Sequence, residues 1–345
     1  MSYNTIANPL RFRETGQNEL SFLQVDGEMG IIEINKRMLS VVFRIQPTGY
    51  RRKENMMKWR DRQGSSNVRS GGRGTGKLIG GGSLLLALLV FLLTGNPLAA
   101  LNVGLGSNGM TTGSVRQEPL QLSSQEKELY QFSSVALKDT EDTWHALLKK
   151  EKQDYRETEM VIFQQKIKTG CGIADSGTGP FYCGRDRSVY MDLSFYDMLV
   201  DEFGAEKNEF ILSYVISHEI GHHVQNELGI LEEVNRLRER ASEKERNALT
   251  VRLELMADYL AGVVARHQQE EGFLEQGELD AAIQSAWSIG DDAIQKRIQG
   301  HVTPESFTHG SSKQRARWYK KGYEAGNLDE FNTFDVERYP TVDSL

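Results

Sequence analysis

Two histidines four residues apart, His218 and His222, enclose a glutamate, Glu219, within an apolar run that starts near Phe210. Ile211, Leu212, Tyr214, Val215 and Ile216 precede them without proline or glycine, so the spacing predicts a helix. Four helical residues turn about 400°, which puts both imidazoles on one face about 6 Å apart along the axis, close enough to share a tetrahedral ion. Glu219 would stand beside that ion and meet its water. The chemistry expected of such a set is hydrolysis. Zinc brings the water's pKa towards about 7, Glu219 takes the proton, the hydroxide attacks a carbonyl, and Glu219 returns the proton to the leaving amine. The same five-residue pattern also arises by chance on ordinary helices, so a third ligand is required.

The helical stretch at residues 248–266 offers one. Glu254 and Asp258 are four apart among Leu253, Leu255, Met256, Tyr259, Leu260 and Val263. A carboxylate on a largely apolar helix is costly to bury unless it is paired or coordinates metal. Glu254 as third ligand, and Asp258 as acceptor for the second N–H of a ligating histidine, account for both acids and leave the fourth position to water. The competing reading is a solvated acidic edge beside Arg252 and Arg266. His223 and His267 are rival ligands, but His223 points about 100° from His222 on the helix and reads as a packing or polar-network residue. A donor for the oxyanion is still needed, and His309 or Arg315, in and after the turn that follows Pro304, could supply it. The alternative for His309 is a residue that orders that turn.

Met57-Lys58-Trp59-Arg60, Gly170-Cys171-Gly172, Gly179-Pro180-Phe181-Tyr182-Cys183, Tyr190-Met191-Asp192-Leu193, and the runs HEIGHHVQ (218–225), ELMAD (254–258), GDDAIQ (290–295) and FTHGSSKQR (307–315) together resemble the neutral zinc metallopeptidase family of bacteria. The resemblance covers nearly all of residues 57–340. It implies a zincin-like domain behind one signal anchor, with His218, His222 and Glu254 as zinc ligands, Glu219 as the catalytic acid and base, and endopeptidase action. The ELMAD run is also similar to the ExxAD segment of membrane-associated gluzincins. The segment around His309 resembles the histidine-containing stretch that follows the third ligand in some of them.

The elements that must position these residues read as α+β with helix dominant. Leu129, Phe132, Val135 and Ala136, then Trp144, Leu147 and Leu148, predict two early helices. Residues 159–167 predict a strand, residues 170–184 a glycine-rich loop and residues 188–193 a second strand; nearly everything after Phe195 reads as helix. The second strand alternates and could form a sheet edge that receives an extended peptide, although a purely structural strand fits equally. Gly290-Asp291-Asp292 suggests a helix cap rather than a calcium-like cluster. Cys171 and Cys183, the only cysteines, flank the glycine-rich loop and are expected to form a disulfide worth about 3 kcal/mol, with free buried thiols as the alternative.

The 345 residues suffice for one catalytic domain with appendages, and a net charge of −7 gives no broad attraction for nucleic acid. Against that balance, residues 51–77 are strongly basic, and no charged side chain follows between Lys77 and Arg116. Leu84 to Leu93 reads LLLALLVFLL. Residues 78–100 are therefore expected to be a transmembrane helix, with the basic segment 57–77 cytoplasmic and the catalytic domain periplasmic or extracellular. A cleaved signal peptide or a buried core helix fits less well. Residues 101–122 read as a flexible linker and residues 123–340 as the peptidase domain. Residues 1–56 form an extension without assigned role, in which Ile31, Ile32, Ile34, Val41, Val42 and Ile45 suggest two short strands; Met57 is an alternative start, because Arg51-Arg52-Lys53-Glu54 can be encoded by a purine-rich run.

The expected substrate is a peptide or an unfolded protein segment, with no expectation of oligomeric state. A catalytically silent membrane-anchored zinc-binding receptor or chaperone is the alternative, and a scaffold with structural zinc is a further one. Neither uses a general base at Glu219.

Overall fold

A computed structural model describes residues 20–25, 28–33, 58–75, 116–202, 208–274 and 277–345. The chain divides into two units, Met1–Glu54 and Asn55–Leu345. In the first, β1 (Leu20–Val25) and β2 (Glu28–Glu33) pair antiparallel, Leu20 opposite Glu33. Ile31 and Ile32 fall in β2, but the strand expected around Val41 lies outside the described residues, and the first strand precedes the isoleucines.

The second unit is built on a five-stranded sheet in the order β4-β3-β5-β9-β8. Its members are β3 (Val68–Thr75), β4 (Arg116–Glu118), β5 (Glu159–Gln164), β8 (Phe181–Cys183) and β9 (Ser188–Asp192). β3, β5 and β9 run parallel, with β4 and β8 as antiparallel edges. β5 reads as an unbroken apolar run because both its faces are covered. Met160 and Ile162 face the helical core, whereas Val161 and Phe163 join Ile167, Ala174, Phe181 and Cys183 beneath a hairpin of β6 (Lys166–Thr169) and β7 (Gly172–Asp175).

The helices are α1 (Ser124–Lys150), α2 (Ser194–Asp201), α3 (Phe210–Glu227), α4 (Ile230–Arg240), α5 (Glu243–Glu270), α6 (Glu278–Ser288), α7 (Asp291–Gln299) and α8 (Ser312–Ala325). Helix-dominant α+β is thus the observed class. α5 and α8 begin at capping boxes, Ser242 with Glu245 and Ser311 with Gln314, which satisfy otherwise orphaned N–H groups. α3 is buried on nearly every side, and α5 packs against it on one flank and against α8 on the other. Glycines permit both contacts. A Cβ on Gly221 would stand 3.1 Å from Ala257 Cα, and one on Gly262 or Gly322 would fall 2.0 Å from Tyr319 O or 1.9 Å from Tyr259 O.

Several expectations are corrected. The two early helices are one, α1; the polar residues between the two apolar groups, Asp139, Thr140, Glu141 and Thr143, are buried. Arg62 pairs with Asp139, which Gln268 Nε2 also reaches at 2.8 Å, while Ser65 Oγ and Asn67 Nδ2 bond Glu141 Oε1 at 2.6 and 2.7 Å. The strand at 159–167 ends at Gln164, since Gln165 turns the chain at φ 68° with its N–H held by Asp192. The glycine-rich loop contains β7, a 3-10 turn and β8, and β9 is interior, so β8 and not β9 is the edge strand on that side. The Cys171–Cys183 disulfide is formed, tying the β6–β7 hairpin to that edge.

The largest correction concerns the domain boundary. The folded unit does not begin near Ser123, because β3 lies between β4 and β5 and Trp59 is in the helical core. Residues 58–75 thus belong to the folded unit that they complete and are not a separate segment before it. The predicted span at 78–100 lies outside the described residues; among those described, no helix is long and apolar enough to cross a membrane.

Removing the Arg62 guanidinium leaves the Asp139 carboxylate, 3% exposed, without its counter-charge. Arg62→Ala is expected to cost about 3 kcal/mol in urea unfolding, because an uncompensated buried charge remains. Arg62→Ala combined with Asp139→Asn should recover part of that loss.

Candidate metal centre

The crossing of α3 and α5 at Gly221 and Ala257 brings the histidine pair of one helix against the acid pair of the other. His218 Nε2 lies 3.1 Å from Glu254 Oε2, and His222 Nε2 lies 3.4 Å from Glu254 Oε1. These three residues form a group able to hold a metal ion, with one donor atom from each within 4.8 Å of the others. Zinc bonds of about 2.1 Å at tetrahedral angles put neighbouring donors about 3.4 Å apart, close to these two separations. Two imidazoles and one carboxylate are also a donor set that zinc accepts.

The remaining ring nitrogens are held from behind. His218 Nδ1 meets Asp258 Oδ1 at 2.9 Å, and His222 Nδ1 meets Gln225 Oε1 at 2.9 Å; Gln225 in turn donates to Leu253 O at 2.7 Å. Such partners fix the ring orientation and leave each Nε2 directed at the shared point. Asp258 is fully buried, and Arg315 Nε donates to its Oδ2 at 2.9 Å while Arg315 Nη2 and the Tyr214 hydroxyl donate to Oδ1 at 3.0 and 2.7 Å.

Charge follows from these contacts. Burial alone would lower the His218 imidazole, but Asp258 and Glu254 outweigh it and raise it to about 10. Burial works against ionised Glu254 also; His309, His222 and His218 overcome it and hold the carboxyl well below the usual range. Glu219 goes the other way, raised by burial despite the opposing influence of both imidazoles.

The profile of the family described as "Putative neutral zinc metallopeptidase" matches residues 48–334. The chain belongs to that family. It is 42% identical over 290 residues to "Uncharacterized protein YpfJ" of Escherichia coli strain K12, covering 81% of this chain and 99% of that protein. "Uncharacterized protein Rv2575" of Mycobacterium tuberculosis is 38% identical over 192 residues, 53% of this chain and 64% of that protein. No solved structure matches at a significant level.

In this metallopeptidase family member, one cavity of about 280 Å³ is lined by His218, Glu219, His222, Glu254 and His309, together with β8 residues Phe181 and Tyr182. The expected ligand and catalytic residues His218, Glu219, His222, Glu254 and His309 thus share one cavity. His309 Nε2 stands 3.9 Å from Glu254 Oε2, and its Nδ1 lies 3.1 Å from Thr308 Oγ1 and 3.5 Å from Asp291 Oδ1. Arg315 also reaches the cavity, but its guanidinium donates to Asp258, to Tyr214 and, at 3.2 Å, to Ile289 O, so it braces the site instead of offering a donor to an oxyanion. Arg252 turns to Tyr339 O and Thr333 O on the tail and not to the acid pair. His223 sits in a polar network between Tyr182 Oη and Arg156 O, and His267 meets Gly326 O.

Gly290-Asp291-Asp292 has a clearer part than a helix cap. Asp291 Oδ2 accepts the N–H groups of Thr308, His309 and Gly310 at 2.7, 2.7 and 3.1 Å, and Asp292 Oδ1 accepts that of Ser312 at 2.6 Å. These carboxylates shape the loop that carries His309. Sequence reasoning missed this, and missed Gln225 and Tyr214; the only available signal was helical spacing, with Tyr214 four residues before His218 and Gln225 three after His222.

A site that keeps the His218 imidazole protonated must release that proton to solvent when a metal binds. Calorimetric titration of the metal-free protein with zinc at pH 7.5, in buffers of different ionisation enthalpy, is expected to register proton release, and the affinity should rise as pH increases towards 10. Asp258→Asn should release fewer protons and bind about 10- to 100-fold more weakly.

Proposed function

We propose that the chain is a zinc-dependent peptidase acting on peptides or unfolded segments of proteins in the bacterial envelope. The observation that carries this reading is a carboxylate left over. His218, His222 and Glu254 supply three donors within 4.8 Å of one another, and Glu219, also buried at the cavity wall, lies on the turn between the two histidines without being needed as a donor. A structural zinc site closes with four protein ligands; three ligands and a spare acid suit hydrolysis.

Zinc, when bound, supplies the Lewis acidity that acidifies water and polarises a carbonyl. The chain's own residues do the rest. Glu219 accepts the proton of the attacking water and passes it to the leaving amine, a transfer favoured by burial, which keeps its carboxyl more basic than usual. Asp258 and Gln225 keep the imidazoles aimed. β8, at the open edge of the sheet and along the cavity, offers backbone groups to an extended peptide whatever its sequence, which fits endopeptidase action. His309 is the candidate donor to the oxyanion, placed at the cavity by the Asp291 contacts.

The apolar run at residues 78–100 serves as the membrane attachment. Its length and freedom from charge support this, and the Cys171–Cys183 disulfide suits an oxidising compartment. β3 and β4, which flank that run in sequence, pair in one sheet, so both of its ends join the same folded domain.

Glu219→Gln is expected to retain stoichiometric zinc while losing peptidase activity, and Glu254→Ala to lose the metal; metal analysis beside a casein or peptide assay decides both. Wild-type zinc affinity in Glu254→Ala would remove that residue from the ligand set.

His309→Ala should lower kcat and kcat/KM together by about 100-fold or more, with zinc content and Tm close to wild type, as expected when only transition-state binding is lost. Full turnover in that variant, or loss only through unfolding, would make His309 a structural residue.

A further inference from the structure

α4 follows the metal-binding helix directly and is exposed along most of its length. Its covered positions are Ile230, Leu231, Val234 and Arg238, at the three-and-four spacing of a single inward stripe. Three are aliphatic, as an inward stripe should be. The last is a guanidinium, and it lines the same cavity as Glu219, Glu254 and His309 together with Leu231 from its own helix and Thr250 and Leu253 from α5.

The other covered arginines of this unit are matched: Arg62 with Asp139, Arg315 with Asp258, Arg266 with Glu270, Arg73 with Gln121, and Arg252 with backbone carbonyls. Among the described residues, neither a hydrogen-bond acceptor nor an ion-pair partner is set against Arg238. The carboxylate whose field reaches it is Glu254, already engaged by three histidines. Formal charges sharpen the point. In the zinc-loaded site, Glu219 and Glu254 balance the ion and Asp258 balances Arg315, so Arg238 leaves the cavity with one positive charge in excess. A guanidinium presents a planar fork suited to a carboxylate, and the pairing gains strength where water is excluded.

We propose that Arg238 is a specificity-determining residue that binds a carboxylate of the peptide substrate, either an acidic side chain near the cleaved bond or the free C-terminus. This rests on the peptidase reading and narrows it to anionic peptides.

The test uses internally quenched peptides of one sequence, with Glu, Gln or Lys at each position flanking the cleaved bond, and each with a free or an amidated C-terminus. The zinc-loaded wild type should favour Glu over Gln at one position, or the free over the amidated terminus, by about 10- to 100-fold in kcat/KM; which of the two appears identifies the source of the carboxylate. Arg238→Met, which keeps an apolar stem, should abolish the preference, Arg238→Lys should retain part of it, and Arg238→Glu should turn it towards Lys. Unchanged ratios in Arg238→Met and Arg238→Glu would overturn the proposal and show a side chain that merely packs its stem. Absence of any cleavage by the wild type would count against the peptidase reading instead. Binding of the same peptides, fluorescently labelled, to Glu219→Gln protein then decides the matter without turnover: a preference for the anionic peptide that Arg238→Glu removes supports the proposal, and equal binding of all peptides, or none, overturns it.

Discussion

The site depends on how closely two helices approach. At the crossing of α3 and α5 a Cβ on Gly221 would stand 3.1 Å from both Cα and O of Ala257. Gly221 lies between His218 and His222, and Ala257 between Glu254 and Asp258, so this close contact of the backbones coincides with the convergence of the four side chains. A metal tolerates errors of about 0.2 Å in its ligand distances. A bulkier residue at either position would move one helix by more than that. The absence of a side chain at Gly221 is therefore as much a part of the centre as the imidazoles, and the glycine contacts of α5 with α8 fix the opposite flank, where Arg315 holds Asp258.

Behind the donors lies a chain of buried charges in which each member is satisfied by the next. Arg315 spans Asp258, Tyr214 and Ile289 O; Asp258 holds His218; Asp291 gathers three successive N–H groups of the loop bearing His309. Partly satisfied networks of this sort are costly in a low-dielectric interior, and complete ones make the arrangement rigid. The loop with His309 is thus anchored as firmly as a helix, although it has no regular structure of its own.

What the sequence made legible was chemistry with a local period. Four-residue spacing put His218 with His222 and Glu254 with Asp258 on common helical faces, and the cost of burying acids suggested that the two pairs meet. The cysteine pair was likewise readable from its two members and the loop between them. Less legible were relations carried by polar residues whose partners are distant in sequence. Asp139 and Glu141 lie between the two apolar groups that read as separate helices, and the partners that let them be buried, Arg62, Ser65 and Asn67, lie more than seventy residues earlier. Gly71, Gly72 and Gly74 likewise hid β3: a Cβ at Gly71 would meet Ile167 and Val161, and one at Gly74 would meet Lys166 O, so the strand is glycine-rich through close packing and shows no alternation. Arg238 went unnoticed because a single basic residue on a charged helix is ordinary until its neighbours are known.

The parallel pairing of β3 with β5 matches Val68 to Met160 and leaves the whole intervening chain to be made before the sheet can close. At ordinary translation rates of about 5 to 20 residues per second, β3 and the indole of Trp59 wait on the order of ten seconds for their partners. Pairings of such long range are slow to nucleate, since loop closure must precede the contacts that reward it. During that interval the ribosome also delivers the apolar run at residues 78–100. The nascent chain therefore reaches its greatest hazard of misassembly before the metal-binding residues have been synthesised, and the success of the fold is decided by events at the ribosome exit.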